Sequence, residues 1–230
     1  MQTIALYTTE TMADWEYAYL TTRIAAVEAV RPGRFRLLLV GDGLAPVRSL
    51  GGLPLSPAAD LDELAGLVDA GSLAALVIPG GNHYTEGGHE RLAGTVADLL
   101  AHDVPVAAIC GATYLLARNG FLDERRHTSN AADFLKPSGY RGGDRYVDAP
   151  AVTDRGITTA SGVHAVPFTA EVMRVTRLAP ESVINAWEQL YLTGESRHYE
   201  ALMEADAELQ GSESSNVVTR SSHVTTQISM

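Results

Sequence analysis

The chain has 230 residues, 46% hydrophobic and 20% charged, with a formal net charge of 17 − 28 = −11, which is enough chain for one well-buried α/β domain. The acidic balance argues against a nucleic-acid or anionic-membrane partner, since both need a basic face, and no apolar run reaches the roughly 18 residues of a transmembrane helix. A single cysteine excludes an internal disulfide framework and suits a reducing cytoplasm.

The amino-terminal segment Met1–Tyr7 lacks a basic stretch ahead of a long apolar one, so it reads as a first strand and not as a signal peptide. Thr3–Thr8 is expected as a strand, Asp14–Val30 as a helix and Arg34–Gly41 as a strand. Val47–Pro57, with Gly51, Gly52 and Pro54, reads as a hairpin or a loop with short strands. Leu73–Ile78 is a buried strand that ends in Pro79-Gly80-Gly81, and Glu90–His102 is an amphipathic helix. Val104–Ile109 is a second buried strand, running directly into Cys110 and then a helix start at Gly111–Ala117. Tyr146–Thr153 and Gly156–Ala160 suggest two strands turning at Asp154-Arg155-Gly156, and Ala165–Leu178 is a helix with Val166, Phe168, Val172 and Val175 at apolar spacing. Such alternation means a mostly parallel sheet covered on both faces. Pro180–Tyr191 and Arg197–Leu209 read as two appended helices that cover the domain or meet a second subunit. From Gly211 the chain is Ser/Thr-rich with little apolar content, a composition that is usually disordered. The expected organisation is an α/β domain over 1–178, appended helices over 179–209 and a tail over 210–230.

Cys110 is the most informative residue. At a strand-to-helix turn its side chain is exposed at the sheet's carboxyl edge, beside helix N–H groups. The positive end of the helix dipole favours a thiolate there; the alternative is an inert, buried apolar cysteine. Glu16 opens the first helix in register with Leu20, Ile24 and Val27, which places its carboxyl on the core-facing stripe. Burial raises a carboxyl pKa and lets it donate a proton; the alternative is an N-terminal acid in water that favours the dipole. The Gly80-Gly81 pair lets backbone approach a ligand, and Gly81 and Gly111 N–H groups form an oxyanion hole if the two strands are neighbours; otherwise the pair is a plain strand-exit turn. Among seven histidines, His102 and His198 fall on surface helices and His223 in the tail. His83 and His164 follow Gly-rich strand exits and are best placed as partners of a thiol, against the alternative of solvated loop histidines. No metal site is expected, because there is no His-Glu-x-x-His and no close Cys/His pair. The glycine-rich pieces spell neither a dinucleotide fingerprint nor a P-loop, so no cofactor is expected.

On Ala13-Asp14-Trp15-Glu16, Val77-Ile78-Pro79-Gly80-Gly81 and Ala107-Ala108-Ile109-Cys110-Gly111-Ala112 the chain resembles the DJ-1/PfpI family of the class I glutamine amidotransferase-like superfamily. Thr158–Gly162 and Phe168–Glu171 fit as well, so the resemblance spans about residues 2–178. It implies a flavodoxin-like three-layer sandwich, a homodimer, Cys110 as nucleophile or oxidisable thiol, Glu16 as the acid bonded to it, and Gly81 and Gly111 as backbone donors. Members of this family are described as cysteine peptidases, amidases, glyoxalases, deglycases, chaperones or redox sensors. The chain departs from the family in three places: Gly111 follows the cysteine where many members have histidine, Asn130 stands where some place a histidine, and no His-x-Glu pair follows His164. His164 is the histidine left to approach the sulfur, and Asn82, His83 and Asn130 are the expected substrate-binding residues. The expected function is a cysteine-dependent enzyme acting on a small carbonyl or amide-like molecule, with Cys110, Glu16 and His164 as its catalytic residues. The alternatives are a redox-sensing stress protein with an oxidisable Cys110 and an assembly module built on the carboxyl-terminal helices.

Overall fold

The computed structural model describes the backbone of residues 1–224 and the side chains of residues 1–210. Its strands are β1 (Gln2–Thr8), β2 (Phe35–Gly41), β3 (Val47–Arg48), β4 (Pro54–Leu55), β5 (Ala59–Asp60), β6 (Leu73–Ile78), β7 (Val106–Ile109), β8 (Ala151–Asp154) and β9 (Ile157–Ala160). Its helices are α1 (Asp14–Val30), α2 (Leu64–Asp69), α3 (Glu90–Ala101), α4 (Gly111–Arg118), α5 (Ala132–Leu135), α6 (Ala165–Thr176), α7 (Glu181–Thr193) and α8 (Ser196–Val224).

Seven strands form one sheet in the order β5-β2-β1-β6-β7-β9-β8. All pairs are parallel except β8 with β9, and the architecture is a flavodoxin-like α/β sandwich. The chain leaves β1 on one side for β2 and β5, then returns to its other side for β6 and β7. That reversal opens a crevice at the carboxyl ends of β1 and β6, the place where open α/β sheets bind ligands.

Alternate residues of each strand feed two cores. Ile4, Leu6, Val77 and Ile109 join the face covered by α1 and α6, with Ile24, Phe168 and Val172. Ala5, Tyr7, Leu76, Ile78 and Val106 join the face covered by α2, α3 and α4, with Leu64, Leu92 and Leu115. Burial on both faces is why these strands read as continuous apolar runs. Val183, Ile184 and Trp187 of α7 and Leu202 and Ala205 of α8 pack into the α1/α6 core, so the carboxyl-terminal helices cover this same domain. The backbone of α8 stays helical past Leu209 to Val224, and the last residues of the Ser/Thr-rich tail, 225–230, lie outside the described residues. Among the described residues no helix is long and apolar enough to cross a membrane.

Besides the helical backbone of 211–224, where composition implies disorder, two segments differ from the sequence expectation. The strand expected over Tyr146–Thr153 begins only at Ala151; residues Gly143–Arg145 form a 3-10 turn and Tyr146 makes one isolated bridge to His127. Pro150 cannot donate to a ladder, which delays the strand. The helical segment from Leu61 to Asp69 was not anticipated, although its start is signalled. Asp60 accepts from Asp62 N, and Glu63 accepts back from Asp60 N in a capping box.

Candidate active site

The loops leaving β1, β6, β7 and β9 converge on Cys110. β7 ends at Ile109, Cys110 N donates to Ala160 O of β9 at 3.0 Å, and α4 begins at Gly111. Cys110 has φ 58° and ψ −124°, a left-handed conformation that costs a non-glycine residue about 1–3 kcal/mol. Thr113 holds the elbow in place, an anchor not anticipated from the sequence. Its N–H donates to Cys110 O at 3.1 Å and its Oγ1 to the same oxygen at 2.5 Å, with Ser129 Oγ 2.6 Å from Oγ1.

Glu16, on the first turn of α1, is fully buried. Ala13 N donates to Gly80 O at 3.0 Å, docking the helix start on the β6 exit. Gly80 N in turn donates to Glu16 Oε2 at 2.6 Å. Oε1 is buried without a hydrogen-bond partner, and the Cys110 thiol lies beside the carboxyl, both groups packed against Gly80 and Gly162.

Two glycines close the pair in. A Cβ on Gly80 would sit 2.7 Å from Cys110 Cβ and 2.9 Å from Glu16 Oε2. A Cβ on Gly162 would sit 2.8 Å from Cys110 Sγ and 2.9 Å from Glu16 Oε1. Both positions therefore exclude any side chain. Gly162 is fixed in turn by Trp15 Nε1, which donates to its oxygen at 2.9 Å, and by Asn130 Oδ1, which accepts from its nitrogen at 2.9 Å. The same Asn130 donates through Nδ2 to Cys110 Sγ at 3.3 Å, so this residue, expected to contact substrate, is a partner of the thiol itself.

Gly81 and Gly111 are adjacent, as β6–β7 pairing requires: a Cβ on Gly111 would lie 2.8 Å from Gly81 O and 3.4 Å from Gly81 N. The Gly111 N–H lowers the pull of burial on the Cys110 thiol, and the Gly81 N–H meets no acceptor among the described residues. Tyr84, also unanticipated, is fully buried against Gly111, and its hydroxyl donates to Pro79 O at 3.1 Å, holding the β6 exit.

Neither expected histidine is hydrogen-bonded to the thiol. His83 Nε2 is 2.7 Å from Glu10 O and 3.2 Å from Thr11 Oγ1, and Asn82 N donates to Thr11 Oγ1 at 2.9 Å. Both residues are thus tied to the β1 exit and make no hydrogen bond to the thiol. His164, expected near the sulfur, makes none either: its Nδ1 is buried and unpartnered, and its ring lines a neighbouring cavity. It precedes α6, with its N–H bonded to Ser161 O at 2.9 Å.

The electrostatics correct one expectation. Burial pushes the Glu16 carboxyl up to about 7, as its place on the core-facing stripe implies. The helix dipole alone implies an easily ionised thiol, but burial, and then the charge of Glu16, push Cys110 up to about 11. Asn130 and the Gly111 N–H oppose that rise without reversing it. A dianion is therefore disfavoured, and the two groups share one proton as a coupled pair.

A buried acid on α1, a Gly-Gly turn after β6 and a cysteine elbow after β7 thus meet at one point, and the DJ-1/PfpI family profile matches residues 2–174. The chain belongs to the DJ-1/PfpI family. It is 34% identical over 209 residues to a Bacillus subtilis protein named uncharacterized protease YoaZ, covering 88% of this chain and 98% of that one. A second B. subtilis relative, uncharacterized protease YdeA, is 30% identical, with 74% and 82% covered. Among solved structures, a ThiJ/PfpI family protein from Bacillus anthracis matches with a TM-score of 0.79 and 31% identity, covering 89% of this chain and 98% of that one. A DJ-1 superfamily protein from Agrobacterium tumefaciens matches at 0.71 and 34%, with 83% and 97% covered.

Proposed function

We propose that this DJ-1/PfpI protein is a cysteine-dependent enzyme acting on a small carbonyl or amide-like substrate. The reading rests on the Cys110–Glu16 pair: a thiol on a strained elbow against a fully buried carboxyl, beside the N–H groups of Gly81 and Gly111. Glu16 takes the thiol proton as sulfur attacks the carbonyl carbon. The S–C bond forms, the carbonyl π pair moves to oxygen, and the two glycine N–H groups stabilise the oxyanion. With an amide, Glu16 gives the proton to the departing nitrogen and the C–N bond breaks. Water then attacks the thioester, passing a proton through Glu16 to the released sulfur. With an aldehyde, the proton goes to the alkoxide and a hemithioacetal results.

The naming of two relatives as proteases favours hydrolytic chemistry. The lack of a histidine hydrogen-bonded to the thiol among the described residues favours small, electrophilic carbonyls over unactivated peptides. The test is turnover of a panel of small aldehydes and amides. Cys110→Ala and Glu16→Gln should each lose at least about 100-fold, the scale of nucleophilic and general acid–base contributions. Turnover that persists in Cys110→Ala overturns the reading.

A further inference from the structure

A cavity of about 410 Å³ opens behind Asn130, bounded also by Tyr146, Asp148, Ser161 and His164. Cys110 does not itself line it, but two of the thiol's neighbours connect the two. Asn130 donates to Cys110 Sγ, and Gly162, between the lining residues Ser161 and Val163, rests against the same sulfur.

The charge of the cavity is one-sided. No lysine or arginine lines it, and Asp148 is its one charged lining residue. The cations of the preceding segment are each neutralised by an acid: Lys136 by Asp133 at 2.6 Å, Arg141 by Asp123 at 3.0 Å and Arg145 by Glu124 at 3.1 Å. Asp148 is exposed and has no ion-pair partner among the described residues. The other polar side chains are those of Thr128, Ser129, Asn130, Tyr146, Ser161 and His164, none of them a fixed cation of the kind that receives carboxylate or phosphate.

Building on the reading of Cys110 as a nucleophile, we propose that this cavity is the subsite for the far end of the substrate. It selects a neutral or cationic group, an amine or a hydroxyl, over a carboxylate or phosphate. Asp148 is the residue that sets the preference, by attracting an ammonium and repelling an anion.

Because Cys110 is the single cysteine, its modification reads the local field directly. The probes are methanethiosulfonates carrying an ethylammonium, an ethylsulfonate or an uncharged methyl group, each of which forms a mixed disulfide with the thiolate and releases a sulfinate. Rates are measured on the full chain as wild type, Asp148→Asn and Asp144→Asn, the last an exposed acid outside the cavity. The expected result is a cationic-to-anionic rate ratio that falls about fivefold in Asp148→Asn, the scale of losing one partly solvated unit charge. The ratio should hold in Asp144→Asn, and the rate with the methyl reagent should hold in both variants. An unchanged ratio in Asp148→Asn overturns the subsite, and so does an equal fall in Asp144→Asn, which would assign the effect to net charge. A thiol inert even to the methyl reagent removes the nucleophile reading beneath it, so the two failures are distinguishable.

Discussion

Asn130 Nδ2 lies 3.3 Å from Cys110 Sγ, placing an amide donor where a cysteine hydrolase more often has an imidazole. An amide cannot take the thiol proton, but it can stabilise the thiolate by a hydrogen bond. Removing it in Asn130→Ala should raise the thiol pKa and slow alkylation by iodoacetamide at pH 8 by about tenfold, the worth of one hydrogen bond to a charged group. Asn130→Asp should be slower still, because it adds a negative charge beside the sulfur. An alkylation rate unchanged in both variants would show that the contact does not bear on the thiol.

The Glu16 carboxyl makes stability depend on pH with a definite sign. Its folded pKa is raised to about 7 by burial, above the ordinary value of 4.5. The stability it supports is therefore fully present below about 4.5 and is lost as pH rises through about 7, by about 3 kcal/mol in all. Urea denaturation at pH 5 and pH 8.5 should show this loss in wild type and a nearly flat profile in Glu16→Gln. Removing the charge should also lower the Cys110 pKa, because ionised Glu16 is the second cause of its rise after burial. Glu16→Gln should thus alkylate faster at pH 8 while losing turnover. A joint fall of both would mean that the carboxylate assists loss of the thiol proton more than its charge opposes it.

The core of the site was legible in the sequence because its parts sit at element boundaries with strong local signals. An apolar run that breaks at Cys110-Gly111 can only be a strand feeding a helix, and Glu16 falls in the Leu20, Ile24, Val27 stripe; both are where the pattern places them. The histidines misled for a physical reason. A Gly-rich strand exit predicts that a following residue is near the sheet edge, but not which way its side chain points. His83 turns to the Glu10 carbonyl, and His164 leaves its Nδ1 unpartnered, with no hydrogen bond to the sulfur. The steric roles of Gly80 and Gly162 were equally out of reach, since contacts across β1, β6, β7 and β9 leave no local periodicity. The thiol pKa was read from one dipole, and burial beside a carboxylate outweighs it.

Gly162 is expected to tolerate no side chain. A Cβ there would lie 2.8 Å from Cys110 Sγ and 2.9 Å from Glu16 Oε1, and neither group can retreat, since Glu16 is tied to Gly80 N. Gly162→Ala should destabilise the fold by about 1–3 kcal/mol, the usual cost of overpacking, and should displace the thiol enough to slow its alkylation. Gly94→Ala is the matched control. It lies on an exposed position of α3 with nothing within 4 Å of its added Cβ, and should be neutral or stabilising by up to about 1 kcal/mol. Denaturation midpoints of the two variants would check the contrast; equal shifts would mean that Gly162 is not packed against the pair.

The elbow itself should store strain that only the cysteine's chemistry justifies. At φ 58° and ψ −124° any residue with a Cβ is penalised, and Thr113 keeps the backbone from relaxing through its two bonds to Cys110 O. Replacing Cys110 by alanine removes the sulfur and keeps the strain. Replacing it by glycine removes both, against an unfolded-state entropy cost of about 0.5–1 kcal/mol. Relief of about 1–3 kcal/mol exceeds that cost over most of its range, so Cys110→Gly should be more stable than Cys110→Ala by about 1 kcal/mol, the reverse of the order expected in a helix or strand interior. Neither variant should turn over substrate. Chemical denaturation of the pair at pH 4.5, where folded Glu16 is protonated and its linked stability is almost fully present, isolates the backbone effect. An alanine variant that is the more stable of the two would mean that the elbow carries no strain.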